Sequence, residues 1–193
     1  PADMVVDGYL SCPLQIHSTG LGLTEDVEIA RTDPTSSVVS RHFHRQIVEP
    51  EDIAKIKTPV VTHDIAATEE RYQAMVELFG DIMPVRKVGI KGRWFAPWDE
   101  LIRWWGVTEA MMDLVLRPEM VNAIMTRLVD AYMAELEQWT TLNLLTRNDD
   151  NTRIGSGAYG YTGKLPGAPY DPSHPLPHNL WGCATAQIFS GVS

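Results

Sequence analysis

The sequence predicts an α/β fold assembled from strand–loop–helix units, and three consecutive stretches carry that expectation. Residues 85–90 (Val85-Arg-Lys-Val-Gly-Ile90) are short and β-branched and follow Pro84, which suits a strand whose faces are mostly covered. Residues 91–98 follow as a loop with one glycine, one proline and three aromatics around Arg93. Pro118 then opens the longest helix. Its Val121, Met125, Leu128, Tyr132, Leu136 and Trp139 recur every three or four residues on one face, with Arg127, Asp130, Glu135 and Glu137 elsewhere. A strand, a loop and a long amphipathic helix are half of a βαβ unit. In such folds ligands bind in loops beyond the carboxyl ends of the strands, so residues 91–98 are the first candidate site.

Before that stretch, three short strands are expected at residues 7–16, 27–30 and 37–46, the first interrupted by Pro13. Gly20, Gly22, Asp33 and Pro34 mark the turns between them, which suggests a small antiparallel elaboration. His42 and His44 alternate along the third strand and would face one side. They read either as paired metal ligands or as a polar face beside Arg41 and Arg45, and charge repulsion favours the polar face. A short helix over residues 49–57 has Glu51 and Asp52 at its start and Lys55 and Lys57 at its end, matching the helix dipole. Thr68 is the expected cap of a helix running to Phe79, with Tyr72, Met75, Val76 and Phe79 on its apolar face. His63 and Asp64 precede it. Adjacent side chains point apart, so acid–base chemistry by that pair is disfavoured.

Within the candidate loop, Trp94 and Trp98 suit stacking on a flat ligand and Arg93 suits a carboxylate or phosphate. The structural alternative puts the tryptophans in the core and lets Arg93 snorkel to water. Pro97 opens the next helix, Trp104 and Trp105 lie inside it as core or interface residues, and Thr108 caps the one after. After Leu145 the chain becomes irregular, with a long loop at residues 152–178 rich in Gly, Pro and Tyr. Its glycines lack the Gly-Lys-Ser or Gly-Lys-Thr of a phosphate loop. His174, His178 and Cys183 raise zinc, but Pro175 and Pro177 forbid the helix that would align the histidines. Trp181 and Gln187 are further pocket candidates.

Composition sets outer bounds. Hydrophobic residues make up 44% of the 193, enough for a sizeable core. The net charge of −9 disfavours nucleic acid and anionic membranes as partners. No apolar run approaches the roughly 20 residues of a membrane-spanning helix. Two cysteines, Cys12 and Cys183, point to a reducing cytoplasm rather than a disulfide scaffold.

Several matches in the right order resemble one family. After the strand and aromatic loop come Trp105-Gly106-Val-Thr-Glu-Ala, Asp113-Leu-Val-Leu-Arg-Pro118-Glu-Met-Val and the long helix. Upstream lies Glu49-Pro-Glu-Asp-Ile-Ala-Lys-Ile-Lys-Thr-Pro59, and downstream Asn179-Leu-Trp-Gly-Cys-Ala-Thr-Ala-Gln187 followed by Gly191-Val-Ser193. This order resembles the uroporphyrinogen decarboxylase superfamily, in particular its branch with corrinoid-dependent methyltransferases. The resemblance implies a partial (β/α)8 TIM-type barrel over residues 49–193, with residues 1–48 as the β-rich elaboration. A closed barrel needs about 200–250 residues, so an internal fragment or truncated frame is expected.

The resemblance implies methyl transfer to or from a corrinoid protein. Its alternatives are a tetrapyrrole decarboxylase or a non-catalytic fragment acting through assembly. It supplies no catalytic residue, because the decarboxylase clamp lies in an earlier segment of the family. Zinc would be bound by later strands of the full-length parent, so no zinc ligand carries over either. Arg93, Trp94, Trp98, Trp181 and Gln187 are the expected substrate contacts. Where relatives would carry an acid before Leu180, this chain has Asn179, which can still hydrogen-bond a polar ligand. Uncovered strand edges lead to the expectation of a homo-oligomer.

Overall fold

The computed structural model describes residues 7–31, 40–149, 152–153, 159–160 and 170–184. In chain order the strands and helices are β1 (Leu10–Pro13), β2 (Ile16–Ser18), β3 (Val27–Ala30), β4 (Ser40–Phe43), β5 (Val61–His63), α1 (Ile65–Phe79), β6 (Val85–Val88), β7 (Trp94–Phe95), α2 (Pro97–Trp105), α3 (Val107–Leu116), α4 (Pro118–Thr141), β8 (Thr152–Arg153), β9 (Tyr159–Gly160) and β10 (Cys183–Ala184). Short 3₁₀ turns cover Pro50–Lys55 and Pro177–Asn179. The chain divides into two compact units. One holds Pro1–Ser18, Val60–Trp94 and Glu135–Cys183; the other holds Thr19–Pro59, Phe95–Ala134 and Ala184–Ser193.

In the first unit β1 runs parallel to β6, from Leu10 opposite Val85 to Pro13 opposite Val88. Strand β2 pairs antiparallel with β5. The β6 strand is less covered than its β-branched composition predicts: Arg86 and Lys87 are exposed and lie over the rings of Tyr9 and Tyr72, at 4.6 and 4.7 Å. Helix α1 is capped by Asp64, whose carboxylate accepts the Ala67 N–H at 2.8 Å. Thr68, the expected cap, sits a turn later and donates its hydroxyl to the Asp64 carbonyl. Asp outranks Thr at an N-cap, and its side chain reaches the third N–H. The unit's core is Val61, Trp139, Leu144 and Leu145, with Leu14, Ile16, Ile90, Leu136 and Leu180 packed against it.

In the second unit β3 and β4 form an antiparallel ladder. Pro97 opens α2, where its missing N–H costs nothing. The core gathers Leu21, Ile47 and Ile56 with Trp98, Leu101, Trp104 and Trp105 of α2 and Val121, Ile124, Leu128 and Tyr132 of α4. Helix α3 begins at Val107 after Gly106, whose φ of 92° is costly for any residue with a Cβ. Thr108 therefore lies inside the first turn rather than capping it.

The expected partial (β/α)8 barrel is not formed. Among the described residues the strands make five separate two-stranded sheets, and β1–β6 is a parallel ladder of only four residues. One isolated parallel bridge, Ile90 with Leu145, extends beyond it. A barrel requires each strand to pair with parallel neighbours on both sides. Here β2–β5, β3–β4 and β8–β9 are antiparallel, and α2, α3 and α4 follow one another with no strand between them.

Candidate functional site

Strand β6 delivers the candidate loop. Beyond Val88 the chain passes Gly89, where a Cβ would lie 2.0 Å from the Leu144 carbonyl oxygen, so only glycine admits this approach. The Gly89 N–H donates to Thr146 Oγ1 at 2.8 Å. The Ile90 N–H donates to the Leu144 carbonyl at 2.7 Å, and the Thr146 N–H donates to the Ile90 carbonyl at 2.9 Å. These bonds lay residues 144–148 alongside the start of the loop.

Asn148 then joins the loop to the segment around Trp181. Its Nδ2 donates to the Lys91 carbonyl at 2.7 Å and to the Trp181 carbonyl at 2.8 Å, while its Oδ1 accepts the Trp181 N–H at 2.8 Å. The side chain is buried and both its polar atoms are used. Gly92, at φ 128°, turns the chain directly beside this staple.

Arg93 leaves the loop to meet Glu135 of α4. The carboxylate is only 5% exposed and accepts the Arg93 guanidinium on Oε2 and the Ser18 hydroxyl on Oε1, the latter at 2.9 Å. The guanidinium side chain keeps 33% of its surface in solvent. Trp94 and Trp181 are 48% and 46% exposed. A buried carboxylate, a half-covered arginine and two open indoles are thus collected in one unit around one loop. This arrangement can hold an anionic group at Arg93 and stack a flat ring on an indole.

The other expected site residues are placed differently. Trp98 is buried in the core of the second unit with Leu101 and Trp104, because Pro97 starts the helix just before it and turns it inward. Gln187 lies outside the described residues. Asn179 is buried, and its side-chain Oδ1 accepts the Leu176 N–H at 2.9 Å, closing its own 3₁₀ turn. Three contributors escaped the sequence reading. Ser18 and Asn148 carry no local signal. Glu135, expected away from the apolar face of the helix, is buried on it, as its spacing of four, three and four with Leu128, Tyr132 and Trp139 allows.

The histidines form no comparable centre. His63 Nε2 lies 3.0 Å from Thr68 Oγ1 while its neighbour Asp64 caps α1. His174 Nδ1 lies 3.0 Å from Asn143 Oδ1. Both cysteines are free, Cys12 buried and Cys183 half-buried. Among the described residues no three His, Cys, Asp or Glu side chains are grouped to hold a metal ion.

In the second unit an open pocket of about 510 Å³ is lined by residues 41–45 and 106–109. Its cations are already answered: Arg41 by Glu25 at 3.1 Å, His44 by Asp26 at 3.0 Å and Glu28 at 3.2 Å, and Arg45 by Glu109 at 3.9 Å. The hydrogen bond to Asp26, then the pull of its charge, raises the His44 pKa above 6.5. No helix among the described residues is long and apolar enough to cross a membrane.

No family model, curated protein or solved structure matches the chain.

Proposed function

We propose that the chain binds a flat, anionic small molecule at residues 91–94 and 180–182 and takes part in methyl transfer between that substrate and a corrinoid protein. The observation that carries the binding half is the Arg93 guanidinium, held by buried Glu135 with a third of its side-chain surface in solvent, in a loop whose neighbouring tryptophan is half exposed. Glu135 and Ser18 fix the arginine's position, so a carboxylate or phosphate meets a donor already oriented for it. Trp94 and Trp181 supply π-faces for the body of the ligand. The sequence resemblance supports the methyl-transfer half. A corrinoid would be carried by the partner protein; among the described residues of this chain no three His, Cys, Asp or Glu side chains are grouped to hold a metal ion.

The pairing of Arg93 with Glu135 also favours a second reading. A tetrapyrrole decarboxylase needs an arginine for its substrate's carboxylates and a carboxylate to balance a protonated pyrrole, and Arg93 of the loop and Glu135 of α4 bring one of each together. Both readings share the anion contact and differ in chemistry. Titration with a coproporphyrin-type tetracarboxylate, followed by tryptophan emission, tests the shared part. Saturable quenching that is lost in Arg93→Met and in Trp94→Ala is expected; equal response of both variants and wild type sinks the site. Thiol-dependent loss of methylcobalamin absorbance on adding the chain with its substrate then favours methyl transfer, and release of carbon dioxide from a uroporphyrinogen-type porphyrinogen that still carries its ring acetates favours decarboxylation.

A further inference from the structure

Helix α3 is built inside out. The residues it turns into the second unit's interior are Ala110 and Asp113, with the Asp113 carboxylate receiving the Trp105 indole N–H at 3.0 Å and Arg117 Nε at 2.7 Å. The residues it turns outward are Val107, Met111, Met112, Leu114, Val115 and Leu116, exposed by 38% to 81%. At 100° per residue these six span an arc of about 200° opposite the buried pair. A helix that merely capped the core would carry this pattern reversed.

The same arc is nearly without charge. Helix α3 has two acids. Asp113 is buried against Arg117, and Glu109 faces Arg45 at 3.9 Å. Only Thr108 interrupts the apolar surface. From the exposures, the six side chains present on the order of 500 Å², at the upper end of the largest patch usual on a monomer, about 300–600 Å². A homodimer interface of standard size buries about 800 Å² per partner, of which about 65% is apolar, and that share is again on the order of 500 Å².

We propose that the α3 face is a self-association surface whose occupant is α3 of a second copy, packed antiparallel about a two-fold axis. Two features select a second copy over another partner. Val107, Met111 and Val115 form an i, i+4, i+8 ridge, and two such ridges interdigitate when the identical helix is turned end for end. An uncharged face also meets its own copy without local repulsion, which charged surface in a chain at −9 does not. Met111 lies at the middle of the ridge and therefore nearest the axis.

Sedimentation of the whole chain from sub-micromolar to high-micromolar concentration tests this. Wild type should pass from the 21.6 kDa of one chain to twice that mass and stop there. Val115→Glu and Met111→Glu should each weaken association at least tenfold while keeping the wild-type circular dichroism. Leu78→Glu, on the exposed side of α1 in the other unit, should leave it unchanged. Met111→Cys with Cys183→Ser should form a disulfide-linked pair when copper phenanthroline is added as oxidant. A single-chain mass at every concentration overturns the proposal. So does a dimer that survives both charged substitutions, or assembly that continues past two copies.

Discussion

The side-chain amide of Asn148 holds the backbone of Trp181 from both sides, donating to its carbonyl and accepting from its N–H, each at 2.8 Å. The same amide nitrogen also donates to the Lys91 carbonyl at 2.7 Å. Asn148→Asp keeps the shape but replaces both donated hydrogens with an acceptor that faces two carbonyl oxygens. It should destabilise the chain by about 2–3 kcal/mol, read by urea unfolding, and should red-shift tryptophan emission as the loops part. A wild-type midpoint in Asn148→Asp would show that the staple holds nothing.

Glu135 and Arg93 should be coupled. Glu135→Ala removes the carboxylate from beside a partly buried guanidinium and should cost about 1–3 kcal/mol, less than for a fully buried pair because a third of Arg93 is in water. Glu135→Gln retains an acceptor for the Ser18 hydroxyl and should cost less. A double-mutant cycle of Glu135→Ala with Arg93→Met measures that coupling; additive losses would mean that the two do not act together.

Gly89 tolerates no side chain. A Cβ there would meet the Leu144 carbonyl oxygen at 2.0 Å, a backbone atom that cannot swing aside. Gly89→Ala should lower stability by about 3 kcal/mol. The Ile90 and Thr146 amides should lose hydrogen-exchange protection ahead of α4, and unchanged protection there would exclude this close approach.

The raised His44 pKa fixes a sign. A proton bound more tightly in the folded state stabilises it, so the contribution is fully present below 6.5 and is lost as pH rises through the higher folded value. The His44 ring signal should titrate above 6.5 by NMR and return towards it in Asp26→Asn, because the Asp26 hydrogen bond is the largest cause. Asp113 shows the opposite sign. The Arg117 hydrogen bond lowers its pKa, so its contribution is present above 3.8 and fades as pH falls through the folded value.

What the sequence disclosed was local. The three-and-four spacing from Val121 to Trp139, the proline before Trp98 and the β-branched Val27–Ala30 each carry their conformation within a few residues, and the helices and strand lie there. Pairing was not local. Nothing in Leu10–Pro13 says that its partner is Val85–Val88 or that it runs parallel, and a family-like order of segments supplied a barrel that the strands do not form. The site divided along the same line. Arg93 and Trp94 stood out by chemistry, whereas Asn148 read as an ordinary polar turn because its partners are brought to it only by the fold. Trp98 and Trp94 look alike in sequence, and a helix start between them separates a core residue from an open one.

The two cores also set an order of assembly during synthesis. The second unit's buried cluster has its last member at Tyr132, whereas the first unit's cluster waits for Trp139, Leu144, Leu145 and the Leu180 packed on it. At about 5–20 residues per second, the ribosome releases every side chain of the later-numbered unit's core while β1, β2, β5 and α1 still lack theirs. The segment made first is therefore the one finished last. Until Leu144, Leu145 and Leu180 emerge, Leu14, Ile16 and Val61 lack the core that covers them and stay open to chaperones and proteases.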